Sequence, residues 1–253
     1  MKIGVSGASG RMGSLSAVTV HEAEDLHLIA LYDRHTAGNI AGIPISQHPE
    51  ALDGCDVILE FSRPDVVMEH INHWRSFGAN VVVGTSGFDA ERLHELEVVW
   101  GKGPGNCLVV PNFSIGAVLM MRMAEMAARH FPVAEIIEMH SDEKVDAPSG
   151  TAIRTAERIS ASGSEQRRAT VSEESHAGAL GAEVEGISVH SVRLPGTLAD
   201  QTVLFGSHGE RLSIRHDTTD RTAFMPGVLL ALRSVSAQRA PVAVGIESLL
   251  GLD

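Results

Sequence analysis

The chain is poor in aromatic and basic residues, and these shortages disfavour large polyanions as partners. Aromatic residues make up 4% of the 253 residues, so stacking on exposed nucleic-acid bases is not expected to be a main activity. The formal net charge of −12 disfavours binding to nucleic acid or to an anionic membrane surface. A small anionic ligand stays compatible with this composition, because the local field at a site can oppose the global charge.

Cysteine, long apolar runs and metal-ligand spacings are also scarce. Cys55 and Cys107 each lie beside a strand-like run, which predicts two buried, reduced thiols. No run of about eighteen apolar residues occurs, so no transmembrane helix is expected. The thirteen histidines are scattered without metal-ligand spacing, so no metal site is expected. The chain opens directly on a strand-like run rather than on a leader, and we expect a cytoplasmic location.

What the chain does contain is an alternation of strand-like and helical patterns, followed by a change of pattern after residue 111. The alternation predicts parallel βαβ units, and the later part predicts an antiparallel or mixed sheet with helices. In the first part, strands are expected at 2–5, 26–32, 57–61, 80–83 and 107–110, and helices up to residue 21, at 66–77 and at 93–100. In the second part, strands are expected at 134–140, 187–194, 201–205 and 212–216, helices at 115–130, 151–160 and 224–235, and a loop at 160–175.

A glycine-rich segment between the first strand and the first helix predicts a dinucleotide site. Its sequence is Gly7-Ala-Ser-Gly-Arg-Met-Gly13, and such glycines let the backbone approach a pyrophosphate at a helix N-terminus. Asp33, at the end of the second strand, suits a ribose hydroxyl. Arg11 and Arg34 could instead hold a 2′-phosphate, so use of both NADH and NADPH is expected and the preference stays open. The alternative is a glycine-rich turn without a ligand.

Two further segments end strands at the same predicted sheet edge. They are Gly84-Thr-Ser-Gly87, where we expect the nicotinamide ribose, and Pro111-Asn-Phe-Ser114. The predicted cofactor-binding residues are Gly7, Ser9, Gly10, Arg11, Met12, Gly13, Asp33, Arg34, Gly84, Thr85, Ser86, Pro111, Asn112 and Phe113.

The segment from Glu138 to Ala152 concentrates chemically active residues. His140 precedes Lys144 by four residues, and the turn Pro148-Ser-Gly-Thr151 follows. Only three lysines occur in the whole chain, so a lysine beside a histidine is informative. The cluster could supply a proton donor, a cationic partner for it and an anion-binding turn ahead of a helix. The alternative is a solvated loop that caps a helix.

Together these segments resemble the 4-hydroxy-tetrahydrodipicolinate reductase family, also called dihydrodipicolinate reductases, of the bacterial lysine and diaminopimelate pathway. The resemblance covers essentially the whole chain, and the string Asp146-Ala-Pro-Ser-Gly-Thr151 after His-x-x-x-Lys is its most specific part. The run 209–231 looks most like actinobacterial members. The other motifs that carry the resemblance lie at 7–13, 84–88, 112–116, 189–193 and 220–224.

The resemblance implies a fold, a reaction and a set of residue roles. It implies a Rossmann-like nucleotide domain (1–111 and 222–253) and an α+β domain (112–221) that binds substrate and assembles a homotetramer. It also implies hydride transfer from NADH or NADPH to a cyclic imine dicarboxylate after hinge closure, with proton delivery and loss of water. His140 would be the acid and Lys144 its cationic partner. The substrate-binding residues would be Ser141, Ser149, Gly150, Thr151 and Arg221.

The chain departs from the family pattern at the position after His140. The family has His-His-x-x-Lys, whereas here Ser141 replaces the second histidine and can donate a hydrogen bond but brings no charge. Losing a charge-assisted hydrogen bond costs about 1.5–3 kcal/mol. Asp142 and Asp200 add negative charge, and Ser86 is a milder change from threonine.

These departures leave alternatives open. A diverged paralogue would keep the fold and cofactor but reduce a different cyclic imine. A non-catalytic nucleotide-binding regulator is a further alternative, although it would more naturally have lost His140 or Lys144. For Arg221, a structural ion pair with Asp217 or Asp220 competes with substrate binding.

Overall fold

The computed structural model describes residues 1–101, 103–162 and 174–252. The strands are β1 (Lys2–Ser6), β2 (His27–Tyr32), β3 (Gly38–Ile40), β4 (Ile43–Ser46), β5 (Val57–Glu60), β6 (Asn80–Val83), β7 (Cys107–Val109), β8 (Val133–His140), β9 (Ala182–Val184), β10 (Ile187–Arg193), β11 (Ala199–Ser207), β12 (Glu210–Thr218) and β13 (Val242–Val244). The helices are α1 (Arg11–Glu22), α2 (Val67–Ser76), α3 (Ala90–Trp100), α4 (Ile115–Ala128), α5 (Gly150–Ala161) and α6 (Met225–Ser234). Short 3₁₀ turns occur at Pro49–Leu52, Arg221–Phe224, Val235–Ala237 and Ser248–Leu250.

The described residues form two compact units. The first unit contains Met1–Ser114 and the C-terminal segment from Phe224, and the second contains Ile115–Ala223. The first unit is built on one eight-stranded sheet in the order β13-β7-β6-β5-β1-β2-β4-β3, parallel except for the β3–β4 pair. Its central strands β1, β5 and β6 are buried along nearly their whole length, as expected of parallel strands covered on both faces.

The β3–β4 hairpin is the main element that the sequence patterns did not predict. Its two-residue turn, Ala41-Gly42, has positive φ at both residues, which is the geometry of a tight primed turn. Alanine is rarely found with positive φ, and strands of three and four residues are too short to show alternation. The short edge strand β9 was missed for the same reason of length.

The second unit contains a five-stranded mixed sheet in the order β12-β11-β8-β10-β9. β8 and β10 are parallel, and the other pairs are antiparallel. Along β8 the buried residues alternate with half-buried ones, because one face of the sheet packs on α4 and α5. The core of this face is made of residues that include Ile136, Ile159, Val189, Val203 and Phe205.

The predicted fold class, a Rossmann-like parallel sheet with a second mixed-sheet unit, is therefore confirmed. Most predicted elements occur within one to three residues of their expected bounds. Cys55 and Cys107 are buried and form no disulfide. Of the predicted loop at 160–175, residues 163–173 lie outside the described residues, and α5 extends to Ala161. No helix in the described part of the chain has the length and apolarity needed to cross a membrane.

Candidate active site

The carboxyl ends of the parallel strands in the first unit carry the predicted nucleotide residues. β1 leads into Gly7, β2 into Asp33, β6 into Gly84 and β7 into the segment at Pro111. Because these strands are parallel, their carboxyl ends lie at one edge of the sheet. The strand order reverses beside β1, whose neighbours are β2 and β5, and ligands of such sheets bind at this switch point.

The glycines of the first loop are required by close backbone packing. Gly7 has φ +73°, and a Cβ there would lie 2.5 Å from the Phe61 carbonyl oxygen. A Cβ on Gly13 would overlap the Gly7 carbonyl, so only glycine lets α1 start this close to the loop. Gly10 is the N-cap of α1 and provides no capping side chain, and no acidic residue lies in the first turn. This helix N-terminus therefore suits a phosphate group.

Asp33 is held against the glycine-rich loop. Its carboxylate accepts hydrogen bonds from the Ser9 hydroxyl and from the Ser9 backbone N–H at 3.2 Å. It also accepts from the backbone N–H groups of His35 and Thr36, both at 3.1 Å. Partial burial opposes ionisation, but these hydrogen bonds, led by the Ser9 hydroxyl, lower the pKa of Asp33. Arg34, the next residue, is exposed, as is Arg11 at the start of α1.

The segment after β6 is shaped by two aromatic rings. Phe61 and Phe113 meet edge to face with ring centroids 5.5 Å apart. A Cβ on Gly84 would overlap the Phe61 ring and approach Phe113 within 2.7 Å. Thr85 is buried, and its hydroxyl lies 3.3 Å from the carbonyl oxygens of both Glu60 and Ser62. Ser86 is exposed.

The remaining predicted cofactor residues differ in exposure. Met12 is half-buried in the first turn of α1, and Pro111 is exposed. Asn112 is half-buried, and its side-chain oxygen accepts a hydrogen bond from the Ser114 backbone N–H at 2.9 Å.

In the second unit, His140 is the last residue of β8 and forms a hydrogen bond with Glu138 on the same strand. Residues two apart on a strand point to one face, and the His140 Nδ1 atom lies 2.6 Å from Glu138 Oε2. The Glu138 side chain is fully buried, whereas that of His140 is 16% exposed. Among the described residues, no hydrogen-bond partner is found for the other ring nitrogen, Nε2.

Arg193, at the end of β10, completes this buried group. Its Nη1 and Nη2 atoms each lie 3.0 Å from a different carboxylate oxygen of Glu138. The Ser149 backbone N–H also donates to Glu138 at 3.2 Å. Burial alone would raise the pKa of Glu138, but the hydrogen bonds from His140 and Arg193 lower it to about 2. Glu138 is therefore an ionised carboxylate beneath the imidazole.

The loop between β8 and α5 holds the predicted lysine and the anion-binding turn. Lys144 Nζ lies 2.7 Å from both carboxylate oxygens of Asp146, so its ion-pair partner is Asp146. This pairing is the main cause that lowers the pKa of Asp146. Ser149 is the N-cap of α5, and its hydroxyl accepts a hydrogen bond from the Ala152 N–H. Gly150 is exposed and Thr151 is half-buried in the first turn of α5.

The competing ion pairs considered for Arg221 are not formed. Asp217 is paired with Arg215 at 2.8 Å, and Asp220 accepts a hydrogen bond from the Thr222 N–H at 2.8 Å. Within the described residues, no ion pair joins Arg221 to either aspartate; hydrogen bonds from Thr222 chiefly lower the pKa of Asp220, and the charge of Arg221 lowers it further.

The departures at Ser141 and Asp200 lie in different surroundings. Ser141 is half-buried directly after β8, and its carbonyl oxygen accepts a hydrogen bond from the Lys144 N–H. Asp200 pairs in register with Met139, so it points to the face of the sheet opposite His140. Its carboxylate accepts a hydrogen bond from the Thr218 N–H at 3.1 Å. The negative charge of Asp200 is therefore not directed to the face that carries the histidine.

Sequence patterns assigned no role to Glu138 or Arg193. The signal for Glu138 was its position two residues before His140 on a predicted strand. Arg193 requires the β8–β10 register, in which it pairs with His140, and no local pattern contains that information.

Comparisons with known proteins agree along the whole chain. A family model described as dihydrodipicolinate reductase, N-terminus, matches residues 1–113, and one described as dihydrodipicolinate reductase, C-terminus, matches residues 116–250. Relatives named 4-hydroxy-tetrahydrodipicolinate reductase from Cutibacterium acnes and Thermobifida fusca are 48% and 46% identical, each over 100% of both chains.

Solved structures give the same result for the fold. A dipicolinate-bound dihydrodipicolinate reductase from Paenisporosarcina sp. TG-14 is 36% identical with a TM-score of 0.86, covering 98% of each chain. An amine dehydrogenase from Mycobacterium smegmatis, 13% identical with a TM-score of 0.65 over 96% of this chain and 94% of the other, shares the fold.

Proposed function

The chain belongs to the dihydrodipicolinate reductase family, and from this premise we propose that it reduces 4-hydroxy-tetrahydrodipicolinate to tetrahydrodipicolinate with NADH or NADPH. This is a step of lysine and diaminopimelate biosynthesis. The balanced reaction takes up one hydride and one proton and releases one water. The observation that carries the proposal is the state of the His140 imidazole. Its Nδ1 atom forms a hydrogen bond with the buried Glu138 carboxylate, and its Nε2 atom has no hydrogen-bond partner among the described residues.

The glycine-rich edge of the first unit fits a dinucleotide. Gly7 and Gly13 allow the close backbone packing that shapes this loop, because a Cβ at either residue would collide with neighbouring backbone, and Gly10 starts a helix without an acidic first turn. Asp33 would bind a ribose hydroxyl, while Arg11 and Arg34 would attract a 2′-phosphate. The cofactor, when bound, supplies the hydride. The further residues that we propose to contact it are Ser9, Met12, Gly84, Thr85, Ser86, Pro111, Asn112 and Phe113.

The second unit would bind the dicarboxylate and supply the proton. His140 would deliver the proton from Nε2, because Nδ1 is engaged by Glu138. Gly150 and Thr151 begin a helix, whose N-terminus favours a carboxylate. Ser149 would contribute chiefly as the cap of that helix, since its N–H already binds Glu138 and its hydroxyl accepts from Ala152.

Further cationic and polar groups of the second unit would complete the substrate site. Lys144 would act as the cationic partner of His140 once its ammonium group has separated from Asp146. Arg221 is not held by Asp217 or Asp220, which favours its assignment to a substrate carboxylate. Ser141 would donate a hydrogen bond to the same substrate.

We also propose that the protein works as a cytoplasmic homotetramer. Support for self-association comes from β12, a nine-residue edge strand, and from the partly exposed apolar side chains of Leu204 and Leu212 on β11 and β12. Sedimentation equilibrium of the purified protein tests this, and a monomer across the working concentration range would contradict it.

The decisive experiment is oxidation of NADH and of NADPH by the purified protein with freshly made synthase product as substrate. Rapid turnover that depends on this substrate is the expected result. If the protein binds either nucleotide by calorimetry but does not turn over, the lysine-pathway assignment is wrong, and the diverged imine reductase becomes the interpretation to test with simpler cyclic imines. The same assay gives kcat/KM for the two cofactors and so settles their preference.

A further inference from the structure

We propose that Glu138 is a positioning residue that fixes the proton of His140 on Nδ1 and so reserves Nε2 for proton transfer. The proposal rests on the proposed function, in which His140 is the acid. The carboxylate is fully buried and lies 2.6 Å from Nδ1. An ionised carboxylate can only accept hydrogen bonds, so the ring nitrogen that faces it must carry a proton.

The partners of Glu138 reinforce this arrangement. Oε2 accepts hydrogen bonds from His140 Nδ1 and Arg193 Nη1, while Oε1 accepts them from Arg193 Nη2 and the Ser149 N–H. A guanidinium and a backbone N–H can only donate, so the contacts of Arg193 and Ser149 cannot reverse. The imidazole is the single partner whose hydrogen-bonding role depends on its tautomer.

Arg193 connects the same carboxylate to the loop that carries Lys144. Its Nη2 atom donates to the Asp146 carbonyl oxygen at 2.6 Å, and its Nε atom to the Lys144 carbonyl oxygen at 3.3 Å. The charged groups that this network brings to His140 are Glu138 on its own strand, Arg193 on β10 and the Lys144–Asp146 pair on the loop. One buried ion pair thereby orients both the imidazole and the segment that follows it.

The substitution Glu138→Gln separates orientation from simple packing. The amide oxygen should take the place of Oε1, because Arg193 Nη2 and the Ser149 N–H both donate at that position. The amide NH₂ group would then face His140. A donor at that position favours an imidazole with its proton on Nε2 and disfavours the imidazolium that a general acid needs. In a serine protease triad, the equivalent change of aspartate to asparagine lowers kcat by about 10⁴-fold, because the amide holds the catalytic histidine in the wrong tautomer.

A double-mutant cycle with His140→Gln tests whether Glu138 acts through His140. We expect Glu138→Gln alone to lower kcat by about 10²–10⁴-fold, the range of a general acid, with little change in KM. In the His140→Gln background it should cause no further loss, because the group that it positions is gone. If the loss in kcat is equally large in both backgrounds, Glu138 has a purely structural role and the proposal is wrong.

The matched control is Glu135→Gln on the same strand. Glu135 Oε2 lies 2.6 Å from His190 Nε2, so this variant also replaces a carboxylate by an amide in a glutamate–histidine hydrogen bond of the same sheet. Glu135 lies on the face of β8 opposite Glu138, and we expect kcat and KM of the control to be those of the wild type. A loss as large as that of Glu138→Gln would contradict a specific role for Glu138.

A spectroscopic measurement on the wild type tests the proposal without activity. In ¹⁵N-labelled protein above neutral pH, the His140 signals, identified by their loss in His140→Gln, should show a protonated Nδ1 and a bare Nε2. The opposite tautomer would overturn the proposal, even if Glu138→Gln failed to fold. Because this readout needs no turnover, it also separates the two proposals: a wild type without reductase activity refutes the proposed function, whereas the tautomer decides the role of Glu138.

Discussion

Replacing Arg193 with methionine should destabilise the protein far more than breaking an exposed arginine pair does. The methionine side chain would keep much of the length of the arginine but leave the Glu138 carboxylate, 0% exposed, without its bidentate counter-charge. Removing one partner of a buried ion pair costs about 3–5 kcal/mol. The hydrogen bonds from His140 and from the Ser149 N–H remain and stabilise the carboxylate, so we expect a cost near the lower end, about 3 kcal/mol.

The matched control for this change is Arg215→Met in the same sheet. Arg215 Nε lies 2.8 Å from both oxygens of Asp217, but the two side chains are 59% and 40% exposed. Exposed pairs of this kind contribute about 0–1 kcal/mol. Urea unfolding at neutral pH, monitored by circular dichroism, gives both free energies of unfolding. Equal costs for the two variants would refute the argument that burial makes the Glu138–Arg193 pair important.

The pH dependence of the free energy of unfolding tests the Glu138–Arg193 pair in a second way. Glu138 has an ordinary pKa of 4.5 and a folded-state pKa of about 2, so its ionisation stabilises the fold above pH 4.5. This contribution, about 3 kcal/mol at most, is lost as the pH falls from 4.5 towards 2. Without Arg193 the carboxylate protonates more readily in the folded state. The difference in stability between wild type and Arg193→Met should therefore shrink below pH 4.5, and a difference that grows there would contradict the sign.

Three further predictions concern the two proposed binding sites. Gly84→Ala should weaken NAD(P)H binding and lower the free energy of unfolding by about 1–3 kcal/mol, because its Cβ would overlap the Phe61 ring. The control Gly206→Ala has open space around it and should hardly change the free energy of unfolding. Equal losses of stability in the two variants would contradict the role of the Phe61 contact. Asp33→Asn should shift the ratio of the NADPH and NADH dissociation constants by about fivefold in favour of NADPH, because it removes about 1 kcal/mol of repulsion between the Asp33 carboxylate and the 2′-phosphate. Calorimetry with both cofactors measures this ratio. An unchanged ratio would show that Asp33 does not determine the choice of cofactor. Ser141→His should lower KM for the dicarboxylate about ten- to a hundredfold, because the histidine can form a charge-assisted hydrogen bond with a substrate carboxylate. An unchanged KM in steady-state assays would show that residue 141 does not contact the substrate.

The fold was largely predictable because its main elements carry strong periodic patterns. β5 and β6 are buried along their length, and β8 alternates, so their apolar residues reveal both the strands and the sheet type. The β3–β4 hairpin was not predictable, since Ala41 adopts a positive φ that its residue type disfavours. The glycine-rich loop and the His140 segment were found because their signals are local in sequence. The Arg193–Glu138 contact joins residues 55 apart and depends on strand register, which no local pattern encodes.

The surplus of acidic residues around the proposed dicarboxylate site is less unfavourable than the sequence suggested. Asp200 lies on the other face of the sheet, and Glu138 is neutralised by Arg193. Asp146 is 63% exposed and bound to Lys144, whose side chain is 24% exposed, so the charge of Asp146 is both paired and largely in contact with solvent. In the proposed site, a substrate carboxylate that replaced Asp146 would keep the Lys144 ammonium paired, and the lysine would be held in place by its own aspartate until substrate arrives. Asp142 and Glu143 are both exposed, and the field of exposed carboxylates is screened by solvent.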